Sequence, residues 1–218
     1  MNLFNTIFIW FGGVLTQTIL EVTFQAMFPD EGYAGKYNER SEIKKLADEL
    51  SLGLFSAQKY CEQAIKCCNL DISADVLETK ILREAFLREP ILNLMEELSP
   101  KFNLWLISDF PETWFKEITK NEDRLDLFLG NRILFTSVSK LSRMIPDIFY
   151  YITQSTNSPI DECFLVDGVS ARAIEAVKHG LQSTIYVYPQ RLEHELAMRK
   201  ILKTDNEVIH PPSSERIS

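Results

Sequence analysis

No stretch of lysine and arginine is dense enough to follow a phosphate backbone, and 31 acidic against 23 basic residues leave a formal net charge of −8. Nucleic acid is therefore not an expected partner, because such binding rests on basic patches. No apolar run reaches the ~20 residues that cross a bilayer. The nearest, Leu3 to Leu15, is broken by Gly12-Gly13 and lacks the basic flank and small-residue cleavage site of a secretory leader. The expectation is no membrane partner and a cytoplasmic location. The four cysteines contain no Cys-x-x-Cys pair, which argues against a thiolate metal site and for a reduced compartment. The adjacent Cys67-Cys68 read as small apolar residues on a helix. No internal repeat or low-complexity segment is present. His179, His194 and His210 fall in no triad or metal-ligand spacing. The absence with most chemical consequence lies at the start: Met1 to Leu20 holds no Asp and no Glu.

What is present is an ordinary globular composition, 45% hydrophobic and 25% charged over 218 residues. That length suits one α/β core with an insertion, or two small domains. Thr6 to Phe11 is a continuous apolar run rich in β-branched and aromatic residues, the signature of a strand buried on both faces. Shorter runs recur at Phe102 to Ile107, Arg132 to Phe135, Cys163 to Val166 and Thr184 to Tyr188, with helical patterns between them. This rhythm predicts an α/β fold: a Rossmann-like, doubly wound parallel sheet. Residues 16–88 break it. They offer only helices, Ile19 to Phe28, Ser41 to Leu50, Ser56 to Cys68 and Ala74 to Phe86, with Ser56 and Ser73 as N-caps and Gly53 as a stop. The expected organisation is a core of residues 1–15 and 89–203, an all-helical cap at 16–88 inserted after the first strand, and a polar, flexible tail at 204–218.

In open α/β sheets, ligands bind beyond the carboxyl ends of the strands. That rule directs attention to Trp10 to Val14, Ser108 to Pro111, Arg143 to Asp147 and Asp167 to Ser170. Here a resemblance emerges. Ile7-Phe8-Ile9-Trp10-Phe11-Gly12-Gly13-Val14-Leu15 is similar to the first motif of the haloacid dehalogenase (HAD) superfamily. Leu106-Ile107-Ser108-Asp109 resembles its second motif, Pro146-Asp147 part of its third, and Phe164-Leu165-Val166-Asp167-Gly168 its fourth. The resemblance spans roughly Asn5 to Pro189 and includes a helical insertion in the family's cap position. It implies hydrolase ancestry, with an aspartate nucleophile that becomes an aspartyl phosphate and magnesium held by hard oxygen ligands.

The residues at those positions depart from that chemistry. Trp10 stands where the resemblance puts the nucleophile, and indole neither attacks phosphorus nor ligates magnesium. Gly12 stands where many relatives keep a general acid. Ser108 matches the phosphate-holding residue but is followed by Asp109, whose charge repels phosphate; Asp109 to Glu112 has the spacing of a helix N-cap. The third motif's lysine is missing from Arg143 to Asp147, and Asp147 reads as a helix N-cap. Asp167 keeps one acid of a pair whose other member is Gly168, and Arg172 replaces a usual Asn. The expectation is a HAD-like pseudoenzyme with no catalytic residues, a degenerate or ligand-binding site at Trp10, Gly12, Ser108, Asp109 and Asp167, and no cofactor, magnesium being weak or absent. Its partner would be a small molecule or a protein. The alternative is an active hydrolase with relocated carboxylates. A third reading is an assembly role, using aromatics such as Trp114, Phe115, Tyr150 and Tyr151.

Overall fold

The computed structural model describes residues 3–30, 37–128, 131–139 and 147–202. Its five strands are β1 (Thr6–Trp10), β2 (Asn103–Ser108), β3 (Ile133–Phe135), β4 (Cys163–Asp167) and β5 (Gln182–Ile185). They form one sheet in the order β3-β2-β1-β4-β5, with every pair parallel. β1 and β4 are buried along their whole length. This explains their unbroken apolar sequence: with helices on both sheet faces, neither face of a central strand can be polar. The chain steps outward from β1 to β2 and β3, then returns to the other side of β1 for β4 and β5. The topological switch point therefore lies between β1 and β4, at the ends marked by Trp10 and Asp167.

Four helices follow β1: α1 (Ile19–Met27), α2 (Tyr37–Ser51), α3 (Ala57–Cys68) and α4 (Ala74–Glu84). They pack mainly on one another, α1 on α4 and α3 on both α2 and α4. Their starts are locally encoded. Thr18 and Glu21 form a capping box on α1, while the Ser56 and Ser73 hydroxyls accept the Lys59 and Val76 N–H groups. Gly53 lies two residues beyond α2, in the left-handed region at φ +68°. The remaining helices are α5 (Glu89–Leu98), α6 (Glu112–Thr119), α7 (Thr136–Ser139), α8 (Asp147–Thr156), α9 (Ser170–Lys178) and α10 (Pro189–Met198). The doubly wound sheet with a helical insertion after its first strand is the predicted architecture.

Several local expectations need correction. β5 covers Gln182–Ile185 and not Thr184 to Tyr188. It is an edge strand paired only to β4, so polar residues are tolerated there and hydropathy misplaces it. α6 starts from Pro111 with no side-chain cap, so Asp109 is not its N-cap; its carboxylate is buried elsewhere. Trp114 and Phe115 belong to the core at 1% exposure, whereas Tyr150 and Tyr151 are exposed. Cys67 is exposed and Cys68 only partly buried, because they sit on the outer side of the last turn of α3. Arg143 to Pro146, the Asp147 side chain and the tail beyond Leu202 lie outside the described residues. No helix among the described residues is long and apolar enough to cross a membrane.

Candidate functional site

At the end of β1 the chain closes a tight turn. Phe11 donates its N–H to the Ile107 carbonyl, and the Leu15 and Thr16 N–H groups both return to the Phe11 carbonyl. Gly13, at φ +97°, occupies the left-handed region that the turn requires. This brings the Gly13 backbone against the loop after β4. A Cβ built on Gly168 would lie 2.3 Å from the Gly13 carbonyl oxygen and 2.8 Å from its Cα. The second position of the fourth motif therefore has no space for any side chain, let alone a carboxylate.

The switch point itself is filled by three fully buried side chains. Arg172, on the first turn of α9, reaches back to Asp167 at the end of β4. Its Nε donates to Oδ2 and its Nη2 to Oδ1, both at 2.6 Å. Oδ1 also accepts the Val169 N–H at 2.8 Å. The Arg172 guanidinium carbon lies 4.1 Å from the centroid of the Trp10 ring, a cation–π stack. Arg172 is 2% exposed and Asp167 0%. Burial alone would pull the Arg172 pKa down. The Asp167 carboxylate, helped by Asp109 and Asp48, outweighs it and holds the guanidinium above its ordinary value. A bidentate fork with a shared backbone donor is the geometry in which a buried ion pair recovers its desolvation cost.

Asp109 faces the same centre, at 1% exposure. A Cβ on Gly12 would meet Asp109 Oδ1 at 2.6 Å, so Gly12 is what lets this carboxylate fold in over the β1 turn. Ser108 is buried, and its hydroxyl donates to the Phe110 carbonyl at 3.3 Å. The Trp10 indole N–H is buried without a hydrogen-bond partner among the described residues.

An aromatic layer covers the centre on the helical side. Phe11 meets Phe110 edge-on and Phe115 at a tilt, and Phe110 contacts Trp114, which meets Tyr60 of α3. Trp114 Nε1 donates to Glu78 of α4 at 2.6 Å. The structure thus brings Trp10, Gly12, Asp109 and Asp167 together, with Ser108 one residue removed. In the sequence Arg172 stands out only as a changed loop residue, and its place in the centre is a finding of the structure. A signal was available: Arg172 shares the buried stripe of α9 with Ala173 and Ala176, and an arginine on such a stripe implies a buried acid. The third motif lies outside the described residues.

Neither a protein-family model nor a curated protein sequence matches the chain. Solved structures do. A HAD family enzyme from Bacteroides thetaiotaomicron superposes with a TM-score of 0.69 at 15% identity, covering 88% of this chain and 98% of that one. The fold is that of the haloacid dehalogenase superfamily. L-2-haloacid dehalogenase from Xanthobacter autotrophicus, with chloropropionic acid covalently bound, shares the HAD fold at a TM-score of 0.64 and 13% identity, covering 91% of this chain and 84% of that one. A predicted HAD-like hydrolase from Porphyromonas gingivalis gives 0.61 at 14%, covering 89% and 98%. The Bacteroides enzyme has also been solved with magnesium and inorganic phosphate, both as wild type and as an aspartate-to-alanine variant. Identities this low establish the HAD fold of this chain and leave its chemistry to its own residues.

Proposed function

We propose that this HAD-fold protein does not carry out aspartyl-phosphate hydrolysis and acts as a ligand- or partner-binding pseudoenzyme, in the cytoplasm. The observation that carries the reading is the buried Asp167–Arg172 fork stacked on Trp10. The donor set does not fit magnesium. Trp10 supplies no oxygen, Gly168 has neither a carboxylate nor room for one, and both Asp167 oxygens are engaged by a resident cation. A divalent ion with hard-oxygen preferences would have to displace an arginine that is already bidentate and dry. Reaction chemistry fares no better, since the nucleophile's position carries an indole already stacked against Arg172.

The alternative, an active hydrolase with relocated carboxylates, draws on the proximity of Asp109 and Asp167. Both are buried, at 1% and 0% exposure, and a nucleophile or general base must reach its substrate. The test is a phosphatase assay on the full chain with magnesium and a panel of phosphate esters that includes an aryl phosphate. The expected result is no turnover above background. Turnover that disappears with chelator would overturn the proposal and revive the alternative.

A further inference from the structure

The filled centre has an open neighbour. On the far side of the Gly13–Gly168 contact, beyond the ends of β1, β4 and β5, lies a pocket of about 380 Å³ lined by Thr18, Glu21, Arg88, Ser170 and Tyr186. Arg88 is half-buried, and the fold holds it firmly. Its backbone N–H donates to the Leu15 carbonyl at 2.8 Å, and Nη1 donates to the Val14 and Thr16 carbonyls at 2.6 Å each. The guanidinium lies over the Tyr186 ring, 5.3 Å from its centroid. These contacts leave Nε and Nη2 without a partner among the described residues.

Glu21 is fixed in a complementary way. Its Oε2 accepts the Thr18 N–H at 2.8 Å and the Thr18 hydroxyl at 2.9 Å, while Oε1 has no partner among the described residues. Burial lowers the Arg88 pKa, opposed in part by Tyr186 and then by the Glu21 carboxylate, yet Arg88 and Glu21 form no ion pair with each other. One small pocket therefore presents a fixed guanidinium edge and a fixed carboxylate oxygen, both partly spent on the backbone and both with capacity left over.

We propose that this pocket binds a small amino-carboxylate, its carboxylate on the Arg88 edge and its ammonium on Glu21. A planar guanidinium edge matches a carboxylate in shape and charge. Glu21 then selects for a cation at the other end of the ligand and against a dianion such as phosphate, as does the chain's net charge of −8. The inference extends the reading of the chain as a binding protein but does not depend on the centre being inert. Turnover in the phosphatase assay would overturn only that reading, and an absence of binding heat only this one.

The experiment is isothermal titration calorimetry of the full chain with the common amino acids one by one, then with the des-amino analogue of the best binder and with inorganic phosphate. Saturable binding of an amino acid is expected, with at least about tenfold weaker binding of its des-amino analogue. Glu21→Gln keeps the capping interaction but removes the charge, and it should weaken binding by a similar factor. Val187 also lines the pocket and is exposed, so Val187→Trp should block the pocket without replacing either charged group. The proposal is overturned if no amino acid binds, if the des-amino analogue or phosphate binds as tightly, or if both variants leave the affinity unchanged.

Discussion

Among the described residues, Arg172 and Arg88 lie in the layer beyond the strand ends, and they are held in opposite ways. Arg172 is dry, with its Nε and Nη2 given to one carboxylate and its face given to Trp10. Arg88 is half-wet, with one nitrogen spent on two backbone carbonyls, and it lines a pocket. The first closes the position where the fold places ligands; the second holds an adjoining position open. A cation whose hydrogen-bonding capacity is used up within the protein acts as structure, and one with capacity left over is available for recognition. The two sites share the Gly13–Gly168 wall, so each can be perturbed and compared with the other.

The comparison breaks most sharply at Arg172. Arg172→Met removes the only cation in the fork and strands a buried Asp167, which should destabilise the chain by about 3–5 kcal/mol in urea denaturation. The double variant Asp167→Asn/Arg172→Met should recover most of that loss, because no buried charge of the pair remains. If the single variant costs less than about 1 kcal/mol, the pair is solvated and the centre is not closed. Next comes the wall. Gly168→Ala drives a Cβ to 2.3 Å from the Gly13 oxygen, a backbone-on-backbone conflict expected to cost about 3 kcal/mol. Gly12→Ala meets the Asp109 side chain at 2.6 Å; a carboxylate can rotate away, so the cost should be roughly 1 kcal/mol. Arg88→Met should cost about 1–2 kcal/mol, the loss of its side-chain hydrogen bonds to Val14 and Thr16. It should abolish amino-acid binding while leaving the Arg172 centre intact, as read by an unchanged near-ultraviolet dichroism spectrum.

How much of this was legible in the sequence follows from the kind of interaction involved. Helix starts at Ser56 and Ser73 were readable because an N-cap is a contact over three residues. β1 and β4 were readable because burial on both faces leaves only apolar side chains. The strand-end rule then placed Trp10, Ser108, Asp109 and Asp167 near one another without coordinates. Hydropathy misplaces β5 because a four-residue edge strand can be polar, and its apolar follow-on, Tyr186 to Tyr188, carries a stronger signal. Asp109 has the Asp-x-x-Glu spacing of a cap because that signal is local, while its real surroundings, Gly12 and the centre near Arg172, come from elements far apart in sequence. The same holds for Arg88. Nothing in its neighbourhood shows that it would grip Val14 and Thr16 from 72 to 74 residues away.

The smallest expected effect is also the finest test of the filled centre. Trp10→Phe removes the indole N–H, which is buried and has no partner among the described residues. Relieving such a group returns about 1–3 kcal/mol. Against this stand the smaller ring, which leaves a partial void, and a weaker cation–π contact with Arg172; together these cost a similar amount. The net change should fall within about 1 kcal/mol of zero in urea denaturation. Trp10→Ala, which gives up the whole ring and uncovers Arg172, should cost about 3–5 kcal/mol. A near-neutral phenylalanine beside a costly alanine would mean that residue 10 serves as a flat face under a cation. A phenylalanine variant as damaged as the alanine one would mean that the indole nitrogen has an essential partner, and the closed centre would have to be redrawn around it.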